Sequence, residues 1–194
     1  MTRIAILGWG SLLWEPWPDF DRWRDAWRID GLALKLEFSR ISSSRKGALT
    51  LVIDPVCGVP NPVAYSISAR AAVDDALADL QRREGTTALH IGYVCLASSR
   101  HRYRDLDAGK TIEAWGSRNG LDAVIWTDLP SNFEEETGLR FSVTAAIEYL
   151  KRLDESSRST AIQYLRQAPP FVQTPLRSAL GADLWFKGEV PARG

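Results

Sequence analysis

The spacing of apolar and polar positions changes several times along the chain, and each change predicts an element. Arg3 to Leu7 is a short, β-branched run that ends in Gly8-Trp9-Gly10, which predicts a buried first strand entering a tight loop. Pro16 and Pro18 bar a regular helix from following that loop directly. Beyond them Phe20, Trp23 and Trp27 recur at i, i+3 and i+7, predicting a short helix over Asp19 to Trp27. From Leu32 to Ser39 the period falls to two, with Leu32, Leu34, Leu36 and Phe38 on one side, as in a half-buried strand. Ser39 to Gly47 is polar and basic and reads as a loop. Ala48 to Ile53 and Val63 to Ile67 read as strands joined by a connection rich in Pro and Gly.

Between Ser66 and Glu84 the period lengthens again. Val73, Leu77 and Leu80 stand at helical spacing, with Ser68 as the expected N-cap and Gly85 as the expected stop. His90 to Leu96 and Ala123 to Thr127 read as strands, with a short helix from Arg104 to Gly116 between them. Ser142 to about Gln167 reads as helical and ends before Pro169 and Pro170. No internal repeat or low-complexity linker breaks the chain, so the expectation is one α+β domain over residues 1–194 with a helical extension from about residue 142.

Composition narrows the function classes. At 194 residues, 45% apolar and 25% charged, the chain is long enough to bury a core without staples. Its 24 basic and 24 acidic residues cancel, leaving no field to draw nucleic acid or an anionic membrane. The two cysteines, Cys57 and Cys95, lie in apolar segments without metal-type spacing and read as buried thiols. The first apolar run is too short for a signal-peptide core or a membrane span, so the expected compartment is the cytoplasm. Five of the eight tryptophans fall in the first 27 residues, where they either fill the core or line a pocket.

Three stretches carry candidate chemistry. Gly8-Trp9-Gly10-Ser11-Leu12 is a glycine-rich loop at a strand end, and its consecutive amides can form a nest for a carboxylate or oxyanion, or simply a tight turn. A dinucleotide site is disfavoured even though Asp30 stands near the ribose-binding position. Leu13 replaces the third glycine, and Pro16 and Pro18 bar the helix that would hold the pyrophosphate. Glu84 continues the stripe Val73, Leu77, Leu80 at spacings of 4, 3 and 4, so it is expected to point inward. It stands at the negative end of its helix, where burial and the macrodipole would both raise its pKa and suit it to proton transfer. The alternative is a helix-ending carboxylate paired with an arginine such as Arg82 or Arg83. Ser39-Arg40-Ile41-Ser42-Ser43-Ser44-Arg45 could dock an anion through its guanidinium and hydroxyl groups, or be a solvated loop. Nucleophilic hydrolase chemistry lacks support: the only histidines are His90 and His101, and no Gly-x-Ser-x-Gly elbow is present. The same two histidines lack the helix-face spacing of zinc motifs, so no metal is expected.

Taken in order, these pieces resemble the γ-glutamylcyclotransferase-like superfamily, and its ChaC-type branch most closely. The resemblance rests on a strand feeding Gly8-Trp9-Gly10-Ser11-Leu12, on Arg40 and Arg45 before the strand Thr50-Leu51-Val52, and on Val63-Ala64-Tyr65 before a helix closing with Leu80-Gln81-Arg82-Arg83-Glu84. It covers roughly residues 3–96. It implies a small mixed β-barrel with surrounding helices, no metal or organic cofactor, and a small-molecule γ-glutamyl substrate. The implied reaction is attack of the glutamyl α-amine on its own side-chain carbonyl, releasing 5-oxoproline. Residues Gly8, Trp9, Gly10, Ser11 and Leu12 would then bind the glutamyl group, Glu84 would carry the protons, and Arg40 and Arg45 would be further substrate contacts. The chain departs from the family at Trp9, which stands where a tyrosine is usual and has no phenolic hydroxyl. That change motivates an alternative, a binding module on the same fold without turnover. The helices from Ser142 to Leu180 have no counterpart in the resemblance.

Overall fold

The computed structural model describes residues 2–189. Its elements, in chain order, are β1 (Ile4–Gly8), α1 (Pro18–Asp21), β2 (Ala33–Ser42), β3 (Ala48–Ile53), β4 (Val59–Pro62), β5 (Ala64–Ile67), α2 (Val73–Glu84), β6 (Ile91–Cys95), β7 (Arg100–Arg102), α3 (Leu106–Arg118), β8 (Ala123–Thr127), α4 (Phe133–Thr137), α5 (Val143–Arg152), α6 (Glu155–Gln167), α7 (Pro175–Ala182) and α8 (Leu184–Gly188). The class is α+β, with two sheets among the described residues, ordered β5-β1-β8-β6-β7 and β3-β2-β4; neither order closes on itself. The chain groups into two compact units, Met1–Leu34 with Pro62–Leu129, and Lys35–Asn61 with Pro130–Gly194.

The first unit is built on the five-stranded sheet. β1 is buried at all five positions because it is central, pairing antiparallel with β5 and parallel with β8. Such a strand reads as a continuous apolar run rather than an alternation. One face of this sheet presents Ile4 and Ile6 of β1, Ala123 and Ile125 of β8, and Ile91 and Cys95 of β6. α2 covers them with Ala76 and Leu80, and Leu12 and Phe20 join the same cluster. Full burial of a leucine such as Leu80 is worth about 1.5–3 kcal/mol, so this face fixes where α2 lies.

Several boundaries differ from the sequence pattern for identifiable reasons. The helix expected over Asp19 to Trp27 stops at Asp21, because Arg24 and Arg28 turn to bridge Ser68 and Tyr65 on the edge of the sheet. Ser68 does not cap α2: its N–H extends the sheet by donating to Ile4, its hydroxyl accepts from the Arg70 N–H, and the helix begins five residues later. Gly85 does end α2, in the left-handed conformation at φ 58° that glycine adopts without penalty.

The second unit packs helices on the smaller sheet. α6 lies against β3, and Phe38 of β2 meets the Tyr164 ring edge-on at 6.3 Å. β2 and the residue before it alternate as the pattern predicts as far as Leu36, with Leu32, Leu34 and Leu36 buried and Ala33 and Lys35 exposed, and the alternation is lost at Glu37. A register shift between Glu37 and Arg40 and cover on both sides bury every residue from Leu36 to Ser39. The helical stretch expected from Ser142 to Gln167 divides at Leu153, where Asp154 starts α6 by accepting from the Ser157 N–H. Cys95 is buried and Cys57 partly so, both as free thiols. Among the described residues no helix is long and apolar enough to cross a membrane, and no group of three or more His, Cys, Asp or Glu is placed to hold a metal ion.

Candidate functional site

Strand directions bring two of the sequence candidates to one end of the first unit. β1 ends at Gly8, and the chain tightens at once into a single 3-10 turn over Ser11–Leu13. That turn uses the N–H groups of Leu13, Trp14 and Glu15, donating to the Gly10 and Ser11 carbonyls. Trp9 and Leu12 are buried and Ser11 half-buried. β5 runs back along β1, and α2 then returns over the sheet with its C-terminus toward the loop.

The contact that ties these parts together is made by Arg83, the residue before Glu84. Its side chain is buried, and its Nη2 donates to the carbonyls of Glu15 at 3.0 Å and Ser11 at 3.4 Å. The same guanidinium stands 3.9 Å from the Glu15 carboxylate and 5.2 Å from the centre of the Trp17 ring. The last turn of α2 is therefore pinned to the loop that follows β1. The stripe buried by α2 runs through Ala76, Asp79, Leu80 and Arg83, with Val73, Leu77 and Glu84 half-buried along its flank. Glu84 thus sits one turn beyond Leu80 at the rim of the core.

Gly8 is a position where a side chain would not fit: a Cβ there would lie 2.9 Å from Trp27 Cη2 and 3.2 Å from Leu13 Cδ2. Two other strand ends meet at this edge. Ile91 of β6 pairs with Thr127 of β8, and continuing the β1–β8 register by two places sets Thr127 level with Gly8. Just before β6, Thr86 Oγ1 and His90 Nδ1 share a hydrogen bond of 3.0 Å, and the His90 carbonyl accepts from the Asp128 N–H.

Arg40 and Arg45 belong to the second unit. Arg40 Nη1 donates to the Pro130 carbonyl at 2.8 Å, and the Arg45 guanidinium stands 5.1 Å from the Tyr164 ring centre. The segment they occupy is not an open loop. Ser39 to Ser42 continue β2, and Asn132 both accepts from the Ile41 N–H and donates to its carbonyl.

Glu37, in that second unit, is a carboxyl whose proton affinity is clearly raised. Burial pushes it up, against the opposing pull of donors from Thr174, Phe38 and Leu176. Its Oε1 accepts from the Phe38 N–H and its Oε2 from the Leu176 N–H, in the first turn of α7. Burial and the neighbouring carboxylates of Asp54 and Glu37 likewise push the Cys57 thiol up. The alternation on β2 hid Glu37, since it set Leu36 and Phe38 inward and Glu37 outward. The role of Arg83 depends on contacts tens of residues distant, for which the sequence carries no signal.

The chain matches no protein-family model, no curated protein and no solved structure.

Proposed function

We propose that the chain is a cytoplasmic γ-glutamylcyclotransferase-like enzyme that cleaves a γ-glutamyl amide or peptide by intramolecular cyclisation to 5-oxoproline. The observation that carries this reading is the pinning of the α2 terminus to the loop after β1 by Arg83, which puts Glu84 and the Gly8–Leu12 loop in one unit at one end of one sheet. On this reading the fold is a variant of that family's small β-barrel with surrounding helices. The loop amides hold the glutamyl group. Glu84 accepts a proton from the α-amine as it attacks and passes one to the departing nitrogen. An α-amine has an ordinary pKa near 8 and attacks only when deprotonated, so a carboxylate beside it is chemically apt. Because nucleophile and carbonyl belong to one molecule, positioning supplies much of the rate, and no cofactor enters the reaction.

Release of 5-oxoproline by the purified protein from a panel of γ-glutamyl amino acids, γ-glutamyl amides and glutathione tests the proposal. Glu84→Gln is expected to fold normally and to lose about 10²–10⁴-fold in turnover, the usual worth of a general acid-base. Unchanged turnover in a folded Glu84→Gln protein would refute it. A second reading, a binding module without turnover, is favoured by Trp9, a buried indole in the place of a phenol. It predicts that a γ-glutamyl compound raises the melting temperature and is recovered intact.

A further inference from the structure

Trp17 combines a backbone fixed on both sides with a side chain left in solvent. It stands between Pro16 and Pro18, in the extended conformation that a following proline favours. Its N–H donates to Asp21 Oδ2 at 2.7 Å, and its carbonyl accepts from the N–H groups of Phe20 and Asp21. Phe20 is buried in the core, and the Asp21 carboxylate is held in turn by Arg24, so the segment is anchored twice. The indole itself is 39% exposed. Ile29, Leu89 and Leu106, the other strongly exposed large apolar side chains described in this unit, are aliphatic. A rigidly held aromatic ring offers a large contact area at little cost in conformational entropy, which suits it to receive a ligand.

The ring also stands at the candidate site. Arg83, the neighbour of Glu84, joins it to the loop after β1: the Ser11 carbonyl lies 3.4 Å from Arg83 Nη2, and the Arg83 guanidinium lies 5.2 Å from the centre of the Trp17 ring. This series runs from a half-buried residue through a buried side chain to an exposed one. We propose that Trp17 is a specificity-determining residue whose ring stacks against the amine half of a γ-glutamyl amide, so that the preferred substrates carry a flat, uncharged group on that amine. This deepens the γ-glutamyl reading and takes the reaction from it. With the glutamyl head in the Gly8–Leu12 loop, the amine is the part of the substrate furthest from the loop and belongs at the exposed end of the series. Indole is apolar over most of its surface, and flat apolar groups stack on it with a gain beyond the area they bury.

The test measures 5-oxoproline release from γ-L-glutamyl anilide and γ-L-glutamyl methylamide by wild type, Trp17→Ala and Trp17→Phe. The quantity read is the ratio of kcat/KM for the anilide to kcat/KM for the methylamide in each protein. Differences in the intrinsic reactivity of the two amides cancel when variants are compared, and so does any loosening of the loop, which slows both substrates alike. Trp17→Ala is expected to lower the ratio about tenfold, the usual worth of one aromatic stack. The change should lie in KM for the anilide, because stacking on the amine is made in the ground and transition states alike. Trp17→Phe, which keeps a ring, should hold the ratio within about threefold of wild type. A ratio that Trp17→Ala leaves within about twofold of wild type would overturn the proposal while leaving the γ-glutamyl reading intact, and so would a wild type that cleaves the methylamide but not the anilide. A wild type that releases 5-oxoproline from neither amide, nor from any other γ-glutamyl compound, refutes the γ-glutamyl reading instead. In that case titration calorimetry with the intact anilide decides: binding that Trp17→Ala weakens about tenfold upholds the platform, and binding that is absent from wild type or equal in the two proteins overturns it.

Discussion

Replacing Arg83 by methionine should loosen the join between α2 and the loop after β1 more than any other single change in the first unit. The bond from Nη2 to the Glu15 carbonyl is 3.0 Å long and comes from a buried charged donor, a class worth about 1.5–3 kcal/mol. The second, to Ser11, is 3.4 Å and adds less. The Glu15 carboxylate lies 3.9 Å away on a side chain 36% exposed, so solvent screening leaves that ion pair near the bottom of the usual 0–1 kcal/mol. The Trp17 ring, 39% exposed, contributes about 0.5–1 kcal/mol as a cation–π partner. Methionine keeps most of the aliphatic packing, so the loss is electrostatic and amounts to about 2–4 kcal/mol. Urea unfolding gives this figure directly, and the melting temperature should fall by about 5–15 °C. Amide exchange at Trp14 and Glu15, whose N–H groups close the turn, should accelerate with it. Turnover should drop at least tenfold although Glu84 is untouched, since about 1 Å of misplacement can cost that much. A stability within about 0.5 kcal/mol of wild type, with unchanged exchange at those amides, would refute the pinning role.

Other parts of the structure yield shorter tests. Burial raises the folded-state pKa of Glu37, so its contribution to stability is complete below the ordinary glutamate range and is lost as the pH rises through the folded value. Unfolding free energy followed from about pH 4 to pH 8 should show that decline in wild type and not in Glu37→Gln; parallel curves would refute the assignment. Gly92→Ala should cost about 1–3 kcal/mol or more, because a Cβ there meets the Trp126 indole of the paired strand, and equal stability in urea would show that the ring moves freely.

How much of this was legible depended on whether the information was local. β3 and β8 run from Ala48 to Ile53 and from Ala123 to Thr127 as their apolar runs indicate, and Gly85 ends α2 where a left-handed residue is required. The loop after β1 and the position of Glu84 one turn past Leu80 follow from the same local rules. Phe20, Trp23 and Trp27 show where locality fails: their helical spacing is real, but Trp23 accepts from the Ala69 N–H, Asp25 donates to the Ile67 carbonyl, and Arg28 exchanges both backbone bonds with Tyr65. Glu37 and Arg83 fail similarly. Their neighbours in sequence suggest solvent, and each is buried by a segment far along the chain: Glu37 by Thr174 to Leu176, Arg83 by Ser11 to Trp17. The break at Leu153 was recoverable, since Asp154 before Glu155 is an ordinary start signal.

The interleaving of the two units has a consequence for how the protein is made. Lys35–Asn61 leaves the ribosome well before Pro130, yet the helices that cover its sheet all come after that residue. At ordinary synthesis rates the wait is roughly 5–15 s. For that interval a nascent hairpin of β2 and β3 holds Leu36, Phe38, Leu49 and Leu51 with nothing of its own unit to cover them. The first unit can close as soon as β8 is available, but the second depends on the final third of the chain. Premature termination anywhere in α5 to α7 would release a product with one finished half and one adhesive, strand-forming half, a natural client for chaperones and proteases.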